Sequence, residues 1–385
     1  MRAVVCHQGD LSVEDVPVPA PGPGQLLLDV VRCGICGSDL HARRHADELA
    51  DVATELGYPT VMRPSHRIVL GHEILGRVAS YGPDTRRRWK PGTLVVALPV
   101  TRTGGEVRMV GFDTAAPGGL AEQTVVQEVF TFPVPGGTPV DKAAFTEPLA
   151  VAWHAVRRGS VGRNRPAVVV GCGPIGLAVI LMLKASGVRQ VVASDLSPGR
   201  RALARACGAD VVIDPRVQDP FTAYDQKGPV RSLPDYLGFG LDTMGTLRRV
   251  PLLPWERMMR AADALGATPS GPVVFECVGV PGMIEQLVTA APLHSRVVVV
   301  GVCMQQDSFR PAMALHKEID LRFVFGYDPA EFAHVLTLIA EGKVDPTPLH
   351  TGTVGLDGVA DAFAALGDPE KHAKVLVDPA GSATL

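Results

Sequence analysis

Three short segments of this 385-residue chain combine side chains that can bind a metal ion. They are CGICGSDLH over residues 33–41, GHE over 71–73 and TEPLAVAWHAV over 146–156. Cysteine, histidine and glutamate all bind zinc, and three such ligands with a fourth position open to water or substrate are typical of a catalytic zinc site. Because the segments are far apart in sequence, only the fold can bring them together.

Each segment taken alone also has a simpler interpretation. Cys33 and Cys36 could form a redox or zinc-knuckle CxxC motif. His72 could be a hydrogen-bonded core histidine, and Glu147 could be a carboxylate in the first turn of a helix. The residues by themselves leave these alternatives open.

A fourth segment, VVVGCGPIGLAVI, carries a glycine-rich turn. Gly171, Gly173 and Gly176 follow the pattern GxGxxG between a predicted strand and a predicted helix, which is typical of dinucleotide binding. The pyrophosphate of such a cofactor lies against the amino terminus of the helix. Asp195 ends the next predicted strand, 19 residues after Gly176, where its carboxylate can accept hydrogen bonds from ribose hydroxyls and repel a 2′-phosphate. This spacing favours NAD over NADP.

Two arginines close to Asp195 complicate the choice of cofactor. Arg200 and Arg201 follow it in the chain, and an arginine near this position can accept a 2′-phosphate. A solvated start of a helix is an equally good interpretation of both residues.

The elements that must position these residues change in character near Pro166. Before it, residues 26–31 and 95–100 form short apolar runs bounded by glycine or proline, which predicts strands. After it, strand and helix patterns alternate, which indicates a parallel doubly wound sheet. The alternation resumes later with strands at 272–279 and 295–302 around a helix at 281–291.

The alternation lapses between Asp214 and Ser270, a connection longer than a doubly wound sheet ordinarily needs. Residues 255–266 have helical spacing and supply the expected crossover helix, which leaves an insert at 217–254. Because prolines recur through this insert, we expect a surface elaboration with no continuous strand or helix. Such an insert could cover a cofactor, shape a substrate pocket or form a subunit contact.

Composition excludes several classes of protein. Thirty-seven basic residues against 40 acidic ones give a formal charge of −3, so nucleic acid is not an expected partner. The longest apolar run, 167–183, is interrupted by glycine and proline and does not predict a membrane span, so no membrane partner is expected. Seven cysteines and the lack of a signal-peptide pattern argue against a disulfide framework and favour a reducing cytoplasm.

Taken together, the segments resemble the zinc-dependent medium-chain alcohol dehydrogenase family over nearly the whole chain apart from the insert, and TEPLAVAWHAV is most similar to its polyol and diol branch. The resemblance implies an α/β fold with a doubly wound parallel Rossmann sheet and a β-rich GroES-like catalytic domain. It implies that residues 1–151 and 324–385 form the catalytic domain and residues 152–323 the dinucleotide-binding domain.

The resemblance also assigns roles around the metal. It implies that Cys36, His72 and Glu147 are the catalytic zinc ligands, whereas Cys33 has no ligand role in the family pattern. Asp39 and Glu73 match carboxylates that orient the ligands, as the residues behind a metal site commonly do. Two further residues match the family's proton relay. Ser38 matches the hydroxyl that touches the reacting alcohol, and His41 matches the residue at the outer end of the relay.

The family chemistry is hydride transfer between an alcohol and nicotinamide, with zinc polarising the oxygen. The resemblance implies a small-molecule alcohol or carbonyl substrate and a homodimer or homotetramer. Residues 100–119 contain no cysteine, so we expect one catalytic zinc and no structural zinc. The expected cofactor contacts are Gly171, Gly173, Pro174, Ile175, Gly176, Asp195, Arg200, Cys277, Val278, Val300, Gly301 and Val302.

Three other functions fit parts of the pattern. A zinc-free enone or quinone reductase uses the same fold but has little need of Cys36, His72 and Glu147 together. A methyltransferase could use the glycine-rich turn for an adenosyl cofactor. A non-catalytic scaffold would bind the dinucleotide without turnover. Metal content and NADH formation separate these from the dehydrogenase.

Overall fold

The computed structural model of the chain describes residues 1–224, 232–264, 268–368 and 370–385. They form two compact units. The first unit contains Met1–His154, Gly173–Met182 and Gly326–Leu385, and the second contains Ala155–Cys172 and Leu183–Phe325.

The strands are short, and most of them are rich in valine and leucine, which suit a buried pleated sheet. In chain order they are β1 (Arg2–His7), β2 (Asp10–Asp15), β3 (Gln25–Gly34), β4 (Ile68–Val69), β5 (Glu73–Tyr81), β6 (Leu94–Ala97), β7 (Val100–Thr103), β8 (Glu106–Met109), β9 (Gln123–Gln127), β10 (Thr131–Pro133), β11 (Ala167–Val170), β12 (Val191–Ser194), β13 (Val211–Ile213), β14 (Val273–Glu276), β15 (Arg296–Val299), β16 (Asp320–Phe323), β17 (His350–Val354) and β18 (Lys374–Val377).

Several helices start with a serine or aspartate cap, or with proline in the first turn, as helix starts commonly do. In chain order they are α1 (Gly37–Arg44), α2 (Ala46–Glu55), α3 (Val140–Ala143), α4 (Thr146–Gly159), α5 (Pro174–Ala185), α6 (Pro198–Ala206), α7 (Leu233–Leu247), α8 (Trp255–Ala264), α9 (Met283–Ala290), α10 (Pro311–His316), α11 (Pro329–Ala340) and α12 (Val359–Ala365).

The first unit is built on a seven-stranded sheet in which β3 has the most neighbours. β3 pairs antiparallel with β5, β9 and β18. Leu26 and Leu28 of β3 are fully buried in an apolar cluster with Ile74 and Val95. The carboxyl end of β3 leads directly into Cys36, so this sheet fixes where the first metal-binding segment begins.

The second unit contains a six-stranded parallel sheet in the order β13-β12-β11-β14-β15-β16. Val168, Val192, Val274 and Val297 lie at the centre of its core. From β11 the chain adds β12 and β13 on one side of the sheet and β14, β15 and β16 on the other. In sheets with this arrangement a dinucleotide binds outside the carboxyl ends of the strands, at the point where the order switches sides. The predicted fold class, a doubly wound sheet with a β-rich GroES-like part, is confirmed.

The insert contains a fifteen-residue helix, α7, so the prediction that its prolines exclude a continuous helix was wrong. Pro234 lies in the first turn, where it interrupts no helical hydrogen bond, and the next proline is Pro251. Ser232 caps the helix in a reciprocal arrangement with Asp235. The predicted crossover helix corresponds to α8, although residues 265 and 266 of that prediction, and 225–231 of the insert, lie outside the described residues.

No helix among the described residues combines the length and apolar character needed to cross a membrane.

Candidate active site

The start of α1 positions the first predicted ligand. Cys36 is the residue that precedes the helix, and its backbone N–H donates to Asp39 Oδ2 at 2.9 Å. Asp39 is fully buried, and its other oxygen accepts from the backbone N–H of Gly71 at 3.3 Å. One carboxylate therefore fixes two loops, one before α1 and one before β5.

His72 is the last residue of the loop before β5, and both of its ring nitrogens have hydrogen-bonding neighbours. Its Nδ1 is 3.2 Å from Asp39 Oδ1, and its Nε2 is 3.2 Å from the hydroxyl of Ser38. Although burial disfavours the charged ring, the charges of Asp39 and Cys36 hold the pKa of His72 well above its usual range. The carboxylate orients Nδ1, which leaves Nε2, beside Ser38, as the nitrogen that could bind a metal.

Three ligand-type side chains come together here. Atoms of Cys36, His72 and Glu73 lie within 4.8 Å of one another, and this is the one such group found in the described part of the chain. Glu73 Oε2 is buried without a hydrogen-bond partner. A Cβ added at Gly34 would lie 1.9 Å from that oxygen, so a glycine is needed there for the carboxylate to fit. A thiol, an imidazole and a carboxylate form a donor set that suits zinc.

Glu147, the third ligand implied by the resemblance, lies outside this tight group. It sits in the first turn of α4 and is buried. Burial, together with the charge of Glu73, raises the pKa of Glu147 to about 7, while His72 and Tyr327 act in the opposite direction. Glu147 is therefore close enough to His72 for their charges to interact. The site contains two acidic side chains that could complete a metal shell.

Two side chains of this site were missed in the sequence. Lys374, the first residue of β18, forms a buried ion pair with Glu73. Tyr327 lies beside Glu147, and its ring is stacked on that of Phe332 with centroids 5.5 Å apart. The continuous apolar run VLV after Lys374 carries a weak signal, because a lysine beginning a buried strand needs a partner. Nothing in the local sequence indicates Tyr327.

The two predicted relay residues occupy α1. Ser38 contacts His72, whereas no hydrogen bond joins the described side chains of Ser38 and His41. The ring of His41 lies 6.2 Å from that of His45. Burial, and then the charges of His45 and Arg44, lower the pKa of His41, so its ring is neutral at pH 7 and able to accept a proton.

If His41 accepts the proton that leaves the substrate, His41→Gln will keep bound metal, lower turnover near neutral pH and regain part of it at higher pH. A neutral imidazole takes up a proton, whereas an amide cannot, and hydroxide replaces the base as the pH rises. We expect a loss of about 10²-fold, the lower end for general-base catalysis. The measurement is kcat against pH, with His45→Gln as the matched control. A His41→Gln profile like that of the wild type would remove His41 from the mechanism.

Predicted cofactor residues gather at the carboxyl ends of β11, β14 and β15. Gly171 has φ +89°, and a Cβ there would lie 2.7 Å from a methyl of Val278 and 3.0 Å from the backbone of Cys277. A Cβ on Gly301 would lie 2.4 Å from the backbone nitrogen of Gly279. The segment 277–279 therefore lies between the glycine-rich turn on one side and the segment 300–302 on the other. Val300 and Val302 flank Gly301, while Gly173, Pro174, Ile175 and Gly176 form the turn into α5 and its start.

Asp195 follows β12 and lies against the glycine-rich turn. Its Oδ2 accepts from the backbone N–H of Cys172 at 2.6 Å, and its Oδ1 accepts from that of Ser197 at 2.8 Å. Arg200 is half-buried, and its Nε has no hydrogen-bond partner among the described residues. Each carboxylate oxygen keeps a second lone pair for a ribose hydroxyl.

Glu276 is a positioning residue that the sequence analysis missed. Its Oε1 accepts from the backbone N–H groups of Val278 and Gly279 at 2.7 and 2.8 Å. Its own carbonyl accepts from the N–H groups of Val300 and Gly301. A carboxylate at the end of the apolar strand VVFE was the available signal.

Comparison with known proteins agrees with this geometry. The model of the alcohol dehydrogenase GroES-like domain matches residues 22–136, and the model of zinc-binding dehydrogenases matches residues 174–233. Sorbitol dehydrogenase of Rattus norvegicus is 30% identical over 375 residues, which is 94% of this chain and 91% of that protein. The chain belongs to the zinc-dependent medium-chain alcohol dehydrogenase family.

Other members of this family are similar over their full length. (R,R)-butanediol dehydrogenase of Bacillus subtilis is 28% identical over 98% of this chain and 100% of that protein, and its crystal structure gives a TM-score of 0.74 over 98% of this chain and 99% of that chain. A zinc-binding dehydrogenase of Sinorhizobium meliloti bound to NADP is 26% identical, with a TM-score of 0.74 over 98% of this chain and 99% of that one. This dehydrogenase therefore uses zinc and a nicotinamide cofactor.

Proposed function

We propose that this alcohol dehydrogenase converts a secondary alcohol of the diol or polyol class to a ketone, with one zinc ion and NAD. The observation that carries the proposal is the tight group of Cys36, His72 and Glu73, in which Cys36 is half-buried and the other two are buried, with Glu147 beside it. The zinc-free reductase is disfavoured by the same group, because such an enzyme has little need of a thiol, an imidazole and a carboxylate held this close together. The names of the butanediol and sorbitol dehydrogenase relatives support the substrate class.

The chain's own residues would divide the work. Cys36 Sγ and His72 Nε2 would hold the metal, with Glu73 or Glu147 as the third ligand; the bound zinc would supply Lewis acidity toward the alcohol oxygen. Asp39 would keep the His72 ring oriented, since it already accepts from Nδ1. Ser38 would accept the hydroxyl proton while giving up its own, with His41 as the final acceptor; its oxygen lies 3.2 Å from the His72 nitrogen that would hold the metal. The glycine-rich turn and the loops after β14 and β15 would hold the nicotinamide dinucleotide.

A substrate panel read by NADH absorbance tests the proposal. It should contain vicinal diols, sugar alcohols, simple secondary alcohols and aromatic primary alcohols. We expect the highest kcat/KM among the first two groups, with activity lost on prolonged chelation. Activity on enones with no dependence on zinc would favour the reductase instead.

The preference for NAD over NADP should depend on Asp195. In Asp195→Ala the ribose loses a charge-assisted hydrogen bond and a 2′-phosphate meets no repulsion. We expect affinity for NAD to fall by about one to two decades, corresponding to about 1.5–3 kcal/mol, and the preference to narrow or reverse. The measurement is the Kd of NADH and of NADPH by fluorescence titration.

Asp210→Asn is the matched control for this substitution. Asp210 accepts a hydrogen bond from the backbone N–H of Val191, at the amino end of β12. Asp195 follows the carboxyl end of the same strand and accepts a comparable bond from the backbone N–H of Cys172. The control therefore removes a similar charge without touching the cofactor position. Equal effects of the two substitutions, or a wild-type preference for NADPH, would contradict the role of Asp195.

Further parts of the proposal rest on the resemblance to the family. They are a catalytic domain of residues 1–151 and 324–385 around a nucleotide domain of 152–323, a homodimer or homotetramer, and a cytoplasmic location. Sedimentation velocity on the purified enzyme measures the second of these directly.

A further inference from the structure

The insert exposes a row of large apolar side chains. The exposed fraction rises along α7 from 44% at Leu233 to 58% at Leu237 and 75% at Leu241, and Leu252, in the turn that follows, is fully exposed. Leu233, Leu237 and Leu241 are four residues apart, so they lie on one face of the helix. Exposed apolar groups of this kind commonly mark an interaction surface.

This leucine face is not the side by which α7 packs on its own unit. Tyr236 of α7 places its ring 4.8 Å from that of His294, which precedes β15. Phe239 is half-buried, whereas Leu237 and Leu241 are exposed. The helix therefore has one packed side and one apolar side that the described chain leaves uncovered.

The turn after α7 and the helix α8 carry both exposed apolar side chains and basic side chains. Met258 and Met259 of α8 are exposed, and Trp255 lies one helical turn before them. Residues 248–260 contain four arginines against one glutamate. Three aspartates, Asp235, Asp242 and Asp263, bring the formal charge of residues 233–264 to zero, so the basic charge is concentrated in the turn and the first part of α8. We refer to α7, the turn and α8 together as the insert helices.

Most of these arginines have no carboxylate partner. Arg260 lies 3.7 Å from Glu256, and Arg248 lies 5.7 Å from the ring centre of Trp255. Throughout the described residues, no ion pair is formed by Arg248, Arg249 or Arg257. Their charges are therefore available to an anionic partner.

We propose that the insert helices dock this dehydrogenase on an anionic lipid surface. Leucine, methionine and tryptophan beside arginine are typical of helices that lie in the membrane interface, where the apolar side chains enter the headgroup region and the basic ones contact anionic lipid. A second copy of the chain is a poorer occupant, because a symmetric contact would bring two arginine clusters together. Peripheral docking needs no spanning helix, so it is compatible with the absence of one among the described residues.

Co-sedimentation of the full chain with vesicles tests this proposal. We expect binding to phosphatidylcholine vesicles that contain phosphatidylglycerol, weak binding to phosphatidylcholine alone, and release by salt. Leu241→Asn with Leu252→Asn removes the apolar contact, and asparagine tolerates the φ of +63° at position 252. Arg248→Glu with Arg249→Glu reverses the charge. Each double variant should weaken binding by more than about tenfold and leave turnover unchanged.

Matched controls come from the other unit. Leu56→Asn replaces a leucine that is also highly exposed, and Arg86→Glu with Arg88→Glu reverses part of another arginine cluster. Both controls should bind vesicles like the wild type. The proposal is overturned if the wild type does not sediment with anionic vesicles, or if the controls lose binding equally. It is also overturned if the leucine variant changes only the sedimentation coefficient of the free protein, since the face then binds a second copy.

Discussion

Replacing Cys36 with serine is expected to remove bound zinc and dehydrogenase activity together. The thiolate is the softest donor in the group with His72 and Glu73, and a serine hydroxyl is a poor zinc ligand at neutral pH. Turnover should fall by more than about 10³-fold, the upper range for loss of one electrostatic contact to a reacting oxygen. Elemental analysis of protein purified without chelator should give about one zinc per wild-type chain and close to none for the variant.

Cys33→Ala is the matched control, because Cys33 is a buried cysteine three residues away that packs against Gly71 and Gly119. It should keep its zinc. Separate Glu73→Gln and Glu147→Gln variants then identify the third ligand as the one whose loss weakens zinc binding more. Two zinc ions per wild-type chain would reveal a second site, and active protein without zinc would restore the reductase hypothesis.

Removing the ammonium of Lys374 should have the largest effect on stability. Lys374 is 1% exposed and its partner Glu73 is 0% exposed, so Lys374→Met leaves a carboxylate buried without its counter-charge. Breaking a buried pair in this way costs about 3–5 kcal/mol. Urea unfolding of the metal-free protein measures the loss. The zinc-loaded variant should lose less, because a bound cation beside Glu73 compensates for part of the missing charge.

Two controls make this result specific. Lys142→Met removes an exposed pair with Asp345, 3.0 Å apart in the same unit, and should cost no more than about 1 kcal/mol. Lys374→Met combined with Glu73→Gln removes both charges and should be more stable than the single variant. If Lys374→Met is as mild as Lys142→Met, the ion pair does not stabilise the site.

Much of this fold could be predicted, because its strongest signals are local. The alternation after Pro166 predicted the parallel sheet, since buried parallel strands are near-continuous runs such as AVVV and VVAS. The glycine pattern placed the turn between β11 and α5 correctly. Cys36 and His72 were predicted by resemblance, and the structure brings them together across 36 residues of sequence.

What could not be predicted depends on pairings across long sequence separations or on position within a helix. The contact of Lys374 with Glu73 spans 301 residues and is set by the antiparallel pairing of β18 with β3. The place of Glu73 in the tight group depends on the space left by Gly34. No hydrophobic pattern in the sequence indicates that these two residues lie side by side. The helix α7 was missed because its prolines were counted without regard to position. Pro234 lies in the first turn, where proline favours a helix.

The return of the chain from β18 to β3 has a consequence for how the protein is made. A ribosome adds about 5–20 residues per second, so Lys374 is added roughly 15–60 s after Glu73. Cys36, His72 and Glu73 are all present on the nascent chain during that interval, while the strand that carries the neutralising lysine does not yet exist. A metal ion captured by the first 73 residues would then act as the counter-charge of Glu73 throughout translation. Cells starved of zinc should therefore lose this enzyme mainly during synthesis, with mature molecules surviving longest.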